Sequence, residues 1–231
     1  MEETQIKKER VKRIFDSISY RYDFLNHFLS LGIDFYWRKK AIELSGMNCN
    51  SILLDIACGT GDFSIAANKA GVKNIFGADL SINMLRLFDK KVGWIKGRTS
   101  QCVAEFLPFK DETFSNITVA FGVRNFYDLF KGFQQFNRVL ISNGKATILE
   151  FRLPSNKLIR NFYLLYFNKV LPFIGRLISK DREAYTYLPE SVNEFDEKVD
   201  LVNLLKQSGF AKVEKHSLTF GLVQVVVAHK S

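Results

Sequence analysis

Cysteine, histidine and proline are all scarce in this chain, which holds three, three and four of them among 231 residues. Cys49, Cys58 and Cys102 lie far apart with no C-x-x-C spacing, which argues against a disulfide framework and for reduced thiols. His27, His216 and His229 show no ligand spacing with them, so no zinc or other metal site is expected. Long apolar runs are missing too. No stretch reaches the roughly 18 apolar residues of a membrane span; the nearest candidate, Phe162 to Phe173, is broken by Asn168, Lys169 and Pro172. The first ten residues are charged and lead into no apolar core, so they do not read as a signal peptide. What the chain has in quantity is positive charge, +9 with a pI near 9.4, and phenylalanine, with 22 copies. A basic balance suits nucleic acid, an anionic membrane surface, or only a basic enzyme. Hydrophobic residues at 47 % and charged residues at 25 % exclude wholesale disorder.

Periodicity divides the chain. Residues 5–29 predict a helix, with Ile6, Val11, Ile14, Phe15 and Ile18 at helical spacing, and Tyr36 to Leu44 a second one stopped by Gly46. Together residues 1–46 form an expected helical cap. Ser51 to Ala57 then reads as a buried strand, Phe63 to Ala70 as a helix ended by Gly71, and Asn74 to Asp79 as another strand. Ser81 caps a helix to about Lys90. Ile117 to Phe121 is a further strand, Phe130 to Leu140 a helix, Asn143-Gly144 a turn, and Lys145 to Phe151 a strand. This alternation implies βαβ units and a mostly parallel α/β sheet covered on both faces. Near the end, a helix from about Val199 to Ser208 precedes two β-rich runs, Lys212 to Leu218 and Val223 to His229. Being so close in sequence, these must pair antiparallel. Residues 152–195, punctuated by Pro154, Pro172 and Pro189, are expected to cover the site as an insertion, so that 1–231 is one domain.

The strongest constellation is Leu53-Leu-Asp55-Ile-Ala-Cys-Gly59-Thr60-Gly61-Asp62, a strand running into a glycine turn. Gly59 and Gly61 let the backbone approach a ligand without Cβ obstruction, at the carboxyl ends of strands where open α/β sheets bind ligands. Asp79 ends the next strand, 18 positions beyond Gly61, a spacing that suits an acceptor for ribose hydroxyls. The third glycine of a dinucleotide fingerprint is missing, and Asp62 at the helix start would repel a pyrophosphate. A ligand carrying a sulfonium and an ammonium would tolerate it, which favours S-adenosylmethionine (SAM) over NAD.

Leu54 to Asp62 resembles the first motif of the ubiquinone/menaquinone biosynthesis C-methyltransferases. Tyr22-Asp-Phe-Leu-Asn26, Leu29 to Gly32 and Trp37-Arg38 resemble that family's N-terminal signature. Phe121-Gly-Val-Arg-Asn125, Arg138-Val-Leu140, Leu149-Glu-Phe151, Tyr185 to Ser191 and Phe220-Gly-Leu222 are similar to its later segments, so the resemblance runs from about residue 12 to the C-terminus. The parallel sheet with an antiparallel C-terminal hairpin is the class I SAM-dependent methyltransferase, or Rossmann-like, architecture. The resemblance implies that Thr60 and Asp79 hold SAM, with Asp55, Gly59 and Gly61 building the turn. It places Val103-Ala104 where the family has a polar-Ala pair flanking adenine, and Ala120 where a Ser often stands. Asp34 stands where the signature usually has His.

By resemblance the reaction is methylation of a ring carbon on a membrane-resident polyprenyl hydroquinone. The compact chain resembles the menaquinone-only members, so the expected step is demethylmenaquinol to menaquinol, with the benzoquinol of ubiquinone synthesis as the alternative. Arg124 and Asn125, which follow the fourth parallel strand, are the candidate catalytic residues; Arg124 would stabilise a phenolate or orient a water, unless it only pairs with Asp128. Tyr22, Asn26, Tyr185 and Tyr187 are candidate substrate-wall residues. Arg160 to Lys169 mixes aromatic and basic residues as an interfacial patch would, or a lid helix. The expected location is cytoplasmic with peripheral contact at the inner, anionic face of the membrane. An RNA or protein methyltransferase and a non-catalytic SAM-binding protein are the other classes. The scattered basic residues give no nucleic-acid footprint, and the glycine turn and Asp79 are both retained.

Overall fold

The computed structural model describes Glu9, Arg13, Ile14, Asp16, His27 and residues 30–166 and 182–231, with the side chains of 182–186 and 188 excepted. The expected first helix therefore lies almost wholly outside the described residues, as do Tyr22, Asn26, the Tyr185 side chain and Phe167 to Lys169.

Seven strands form one sheet in the order β3-β2-β1-β4-β5-β7-β6. They are β1 Ile52–Ile56, β2 Asn74–Asp79, β3 Thr99–Gln101, β4 Phe114–Ala120, β5 Leu140–Phe151, β6 Lys212–Leu218 and β7 Val223–His229. The first five run parallel, and β7 pairs antiparallel with both β5 and β6. The helices are α1 Ile33–Ser45, α2 Asp62–Lys69, α3 Ile82–Lys91, α4 Leu129–Val139, α5 Lys157–Leu165, α6 Arg182–Lys198 and α7 Leu201–Gln207. Period-two alternation sorts the apolar strand residues between two layers. Val223, Val225 and Val227 face the core built with Trp37, Ala41, Phe63 and Phe88 from α1 to α3. Val226 and Ala228 face the opposite core, with Phe133 and Phe136 of α4 and Leu201 and Leu205 of α7.

Local chemistry sets the element ends. Ser81, Asp128, Asn156 and Asp200 each accept a backbone N–H in the first turn of α3, α4, α5 and α7. Gly46 closes α1 in the left-handed conformation, as its sequence position suggests. Three readings of the sequence need correction. Asn143-Gly144 does not separate a helix from a strand; it lies inside β5, where the register against β4 slips between Phe114 and Asn116 and Asn143 takes up the irregularity at φ 62°. The three-residue β3 is too short and too polar to show alternation. Pro189 sits inside α6 rather than between elements.

Strand order reverses between β1 and β4, so the chain leaves these neighbours in opposite directions and opens a crevice at their carboxyl ends. Gly61 positions one wall of it. At φ +87° it starts α2, and a Cβ there would lie 2.1 Å from the Phe88 ring of α3. Its need for glycine comes from helix packing, where the sequence suggests close approach to a ligand. Gly61→Ala should lower unfolding stability by about 2 kcal/mol or more in a denaturant titration, through both the left-handed backbone and the clash. The cost should shrink in a Phe88→Leu background, where the clash is relieved and the backbone term remains.

Candidate functional site

Two adjoining cavities occupy the crevice. The larger is an open, mostly apolar envelope of about 790 Å³. Gly59, Asp79, Val103, Ala104, Ala120 and Asn125 all line it, so six residues singled out in the sequence converge there. The smaller, about 350 Å³, is lined by Arg38, Asp55, Thr60 and Asp62 among others. Ala57, Gly59, Ala120 and Phe121 border both, which makes the two one continuous groove.

Backbone strain shapes the groove. Ala57 after β1 and Phe121 after β4 both have positive φ, 52° and 58°, though neither is glycine. They let each strand turn sharply out of the sheet, and Gly59, at φ 54°, continues the first turn. Sequence patterns carry no mark for either residue.

Asp79 is fixed by two backbone donors: Gly59 N–H to Oδ2 and Ser81 N–H to Oδ1, each at 2.8 Å. It therefore ties the glycine turn to the cap of α3, and each oxygen keeps a lone pair for a ligand. Burial raises its pKa against these two donors, and with Asp16 nearby the value reaches about 6. Asp55 is also raised to about 6 by burial, opposed by the hydroxyls of Ser64 (2.7 Å) and Thr118 (2.9 Å). Glu105, buried beside Val103-Ala104, accepts the N–H groups of Tyr127 and Asp128 at 3.0 and 3.1 Å. It thereby holds the 125–128 loop against the cavity wall. Its position just before Phe106-Leu-Pro was the only signal it offered.

Arg124 is placed differently from expectation. Its guanidinium turns from the groove to the fully buried Glu150, 2.7 Å away, and its Nε–H donates to Ser191. Asp128, its alternative partner, caps α4 instead. The neighbouring Asn125 does face the cavity, with Oδ1 accepting from Tyr187 Oη at 2.8 Å. Asp62 also departs from the sequence argument. It is no isolated anion, because Lys91 Nζ lies 2.8 Å away, His27 3.5 Å and Arg38 3.6 Å. Its charge thus discriminates little between a pyrophosphate and a sulfonium. Lys91 also donates to Thr60 Oγ1 at 3.0 Å.

An apolar groove with a carboxylate floor at one end and a charged pocket at the other suits a nucleoside carrying a zwitterionic tail. The comparisons agree. The ubiE/COQ5 methyltransferase family matches residues 3–230. A demethylmenaquinone methyltransferase from Chlorobaculum parvum is 40 % identical over 227 residues, covering 96 % of this chain and 93 % of its own. The ubiquinone/menaquinone biosynthesis C-methyltransferase UbiE from Geotalea daltonii is 41 % identical over 230 residues, covering 97 % of each. Among solved structures, a SAM-dependent methyltransferase from Thermotoga maritima shares the fold with a TM-score of 0.68 at 18 % identity, covering 95 % of this chain and 99 % of that one.

Asp79 yields a test. Ribose hydroxyls and a proton compete for the same carboxylate lone pairs, and the proton binds the free protein with a pKa of about 6. If Asp79 holds the ribose, SAM affinity by calorimetry should be level above about pH 7. It should weaken as the pH falls through 6, by up to about tenfold per unit. Asp79→Ala should flatten that profile and weaken binding near neutral pH by about 2 to 4 kcal/mol. Affinity unchanged in a folded variant would remove the residue from the ribose site.

Proposed function

The chain belongs to the ubiE/COQ5 methyltransferase family, and on that premise we propose that it methylates a ring carbon of demethylmenaquinol to give menaquinol. SAM is the methyl donor. The observation that carries the quinol substrate class is the near full-length likeness to relatives named for menaquinone or for ubiquinone/menaquinone biosynthesis, and demethylmenaquinol is our choice within it. An apolar cavity with few polar groups supports it, since a quinone ring offers only two oxygens to recognise.

SAM supplies an electrophilic methyl group on a sulfonium. The residues of the chain hold the acceptor ring and manage its protons. Loss of a quinol hydroxyl proton makes the neighbouring ring carbon nucleophilic; a carbon–carbon bond then forms as the carbon–sulfur bond breaks, the ring carbon releases its own proton to restore aromaticity, and the ring oxygen is reprotonated, so that one proton passes to solvent overall. Asn125 is the group placed to meet the ring oxygen. With its carbonyl engaged by Tyr187, its amide N–H is left to donate to the developing phenolate. Arg124 acts as a strut from behind, because its ion pair with Glu150 anchors the turn that presents Asn125. Walls such as Ile56, Met84 and Phe126 keep the site dry.

A polyprenyl quinol resides in the bilayer, so our reading has the protein meet it at a membrane surface, and the exposed apolar residues are the candidates for that contact. On α5, Tyr163 turns into the core and Tyr166 is half-buried. Leu158, Phe162 and Leu165 form the outer stripe, 66 %, 65 % and 50 % exposed, beside the exposed Lys157 and Arg160. Phe220, 82 % exposed, projects from the β6–β7 turn, whose Gly221 packs against Pro154 just before α5. Among the described residues no helix is long and apolar enough to cross a membrane.

Purified protein with methyl-labelled SAM should label demethylmenaquinol well above the benzoquinol precursor and leave RNA unlabelled. Label confined to benzoquinol would assign the ubiquinone step instead. Asn125→Ala should cut turnover at least about tenfold, or roughly 1.4 kcal/mol, with SAM affinity and melting temperature near the parent values. Arg124→Ala should instead destabilise the fold by about 3 to 5 kcal/mol, because it strands a buried carboxylate. Leu158→Ser with Phe162→Ser should weaken salt-sensitive binding to anionic vesicles and lower activity on the long-tailed quinol more than on a short-tailed one. An equal loss on both, with an earlier melt, would mark these rings as packing residues.

A further inference from the structure

The smaller cavity contains a polar group that this reading leaves without a role. Arg38, on α1, is 6 % exposed in its side chain and lines that cavity. One terminal nitrogen bonds to the buried Asp34, the other lies 3.6 Å from Asp62, and the guanidinium sits over the Phe121 ring. Its Nε–H is buried and has no acceptor among the described residues. Folded proteins rarely leave such a donor unsatisfied, and the desolvated N–H of a charged group is a strong one. Asp34 is itself held by Ser30 Oγ and His27 Nδ1, each at 2.7 Å. Burial acts to raise its pKa, but these bonds and Arg38 outweigh it and hold the carboxyl below its ordinary range. The Arg38 fork is thus held in orientation by Asp34, with its Nε–H spare among the described residues.

Asp55, Asp62 and the Gly59-Thr60 turn line the same cavity. A simple anion would meet two carboxylates there, and a simple cation would meet Arg38. A zwitterion satisfies both. We propose that Arg38 is a specificity-determining residue for the amino-acid end of SAM, its Nε–H donating to the α-carboxylate while the acidic side of the pocket receives the α-ammonium. The proposal rests on SAM being the ligand of the continuous groove. It also gives Asp34, the departure from the family signature, a function: it aligns Arg38.

The test uses the full chain and calorimetry with three probes: SAM, decarboxylated SAM, which lacks only the carboxylate, and 5′-methylthioadenosine, which lacks the amino-acid end. The parent protein should bind SAM at least about tenfold more tightly than decarboxylated SAM. Arg38→Lys keeps a charge for Asp34 and removes the Nε–H. It should weaken SAM roughly tenfold to a hundredfold, close the gap to decarboxylated SAM, and leave 5′-methylthioadenosine affinity unchanged. Arg38→Met should do the same where it folds, as judged by thermal melting; Arg38→Lys decides where it does not. A gap between SAM and decarboxylated SAM that persists in Arg38→Lys overturns the proposal. So does an equal loss for 5′-methylthioadenosine, which would make Arg38 a scaffold residue. Failure of the parent protein to bind any probe would instead overturn SAM as the ligand.

Discussion

A Cβ on Gly122 would lie 2.6 Å from that of Ala57, so the loops leaving β1 and β4 meet at the closest approach glycine permits. Both strands end in a non-glycine residue at positive φ, Ala57 and Phe121, a conformation that persists only where its surroundings over-determine it. Here they do. Phe121 N–H donates to Leu149 across the sheet, Cys58 N–H donates to Ala78 at the end of β2, and the apolar layers hold the strands in register. Beside this contact the two cavities meet, sharing Ala57, Gly59, Ala120 and Phe121. The shape of the site is thus a consequence of reversing strand order with almost no room between the turns.

Asp55, Asp79, Glu105 and Glu150 lie buried or half-buried around this crevice, held by three kinds of donor. Asp55 has hydroxyls, Asp79 and Glu105 have backbone N–H groups, and Glu150 has a guanidinium. The difference decides their properties. Neutral donors stabilise a charge less than a cation does, so Asp55, Asp79 and Glu105 remain pushed upward by burial. Arg124 and Glu150 neutralise each other, and such pairs contribute specificity of arrangement more than stability. That suits a strut whose task is to aim Asn125.

How far the sequence disclosed this depends on whether a residue's role is set locally. The triple valine of β7, Ser81 before α3 and Gly46 after α1 act through period and capping within a few residues, and were legible. Asp79 was legible because chain spacing alone delivers it to the end of β2. Gly61 has a further need for glycine that the sequence could not show, since the ring it must avoid belongs to Phe88, far along the chain. Arg124 was expected in the groove because its position after β4 was read without Glu150, a partner 26 residues away that only sheet register brings near. Asp62 likewise looked like a free acid until Lys91 and Arg38 were folded against it. Charge arguments from sequence fail wherever the counter-charge is distant in the chain.

The departures from the family pattern bear on where recognition resides. Val103 and Ala120, positions where the resemblance implies polar side chains, line the larger cavity with apolar ones. Apolar walls bind a ring but fix its orientation weakly, because dispersion contacts are non-directional. Orientation must then come from the groove's two ends, where Asp79 is anchored by two backbone N–H groups and Arg38 by Asp34. Both anchors are pre-formed, so little ordering is left for the moment of binding. Arg38 sits on the same helix as Trp37, whose indole N–H donates to Thr219 in the strained turn that projects Phe220. One helix therefore borders the smaller cavity on one side and the turn that carries the exposed Phe220 on the other.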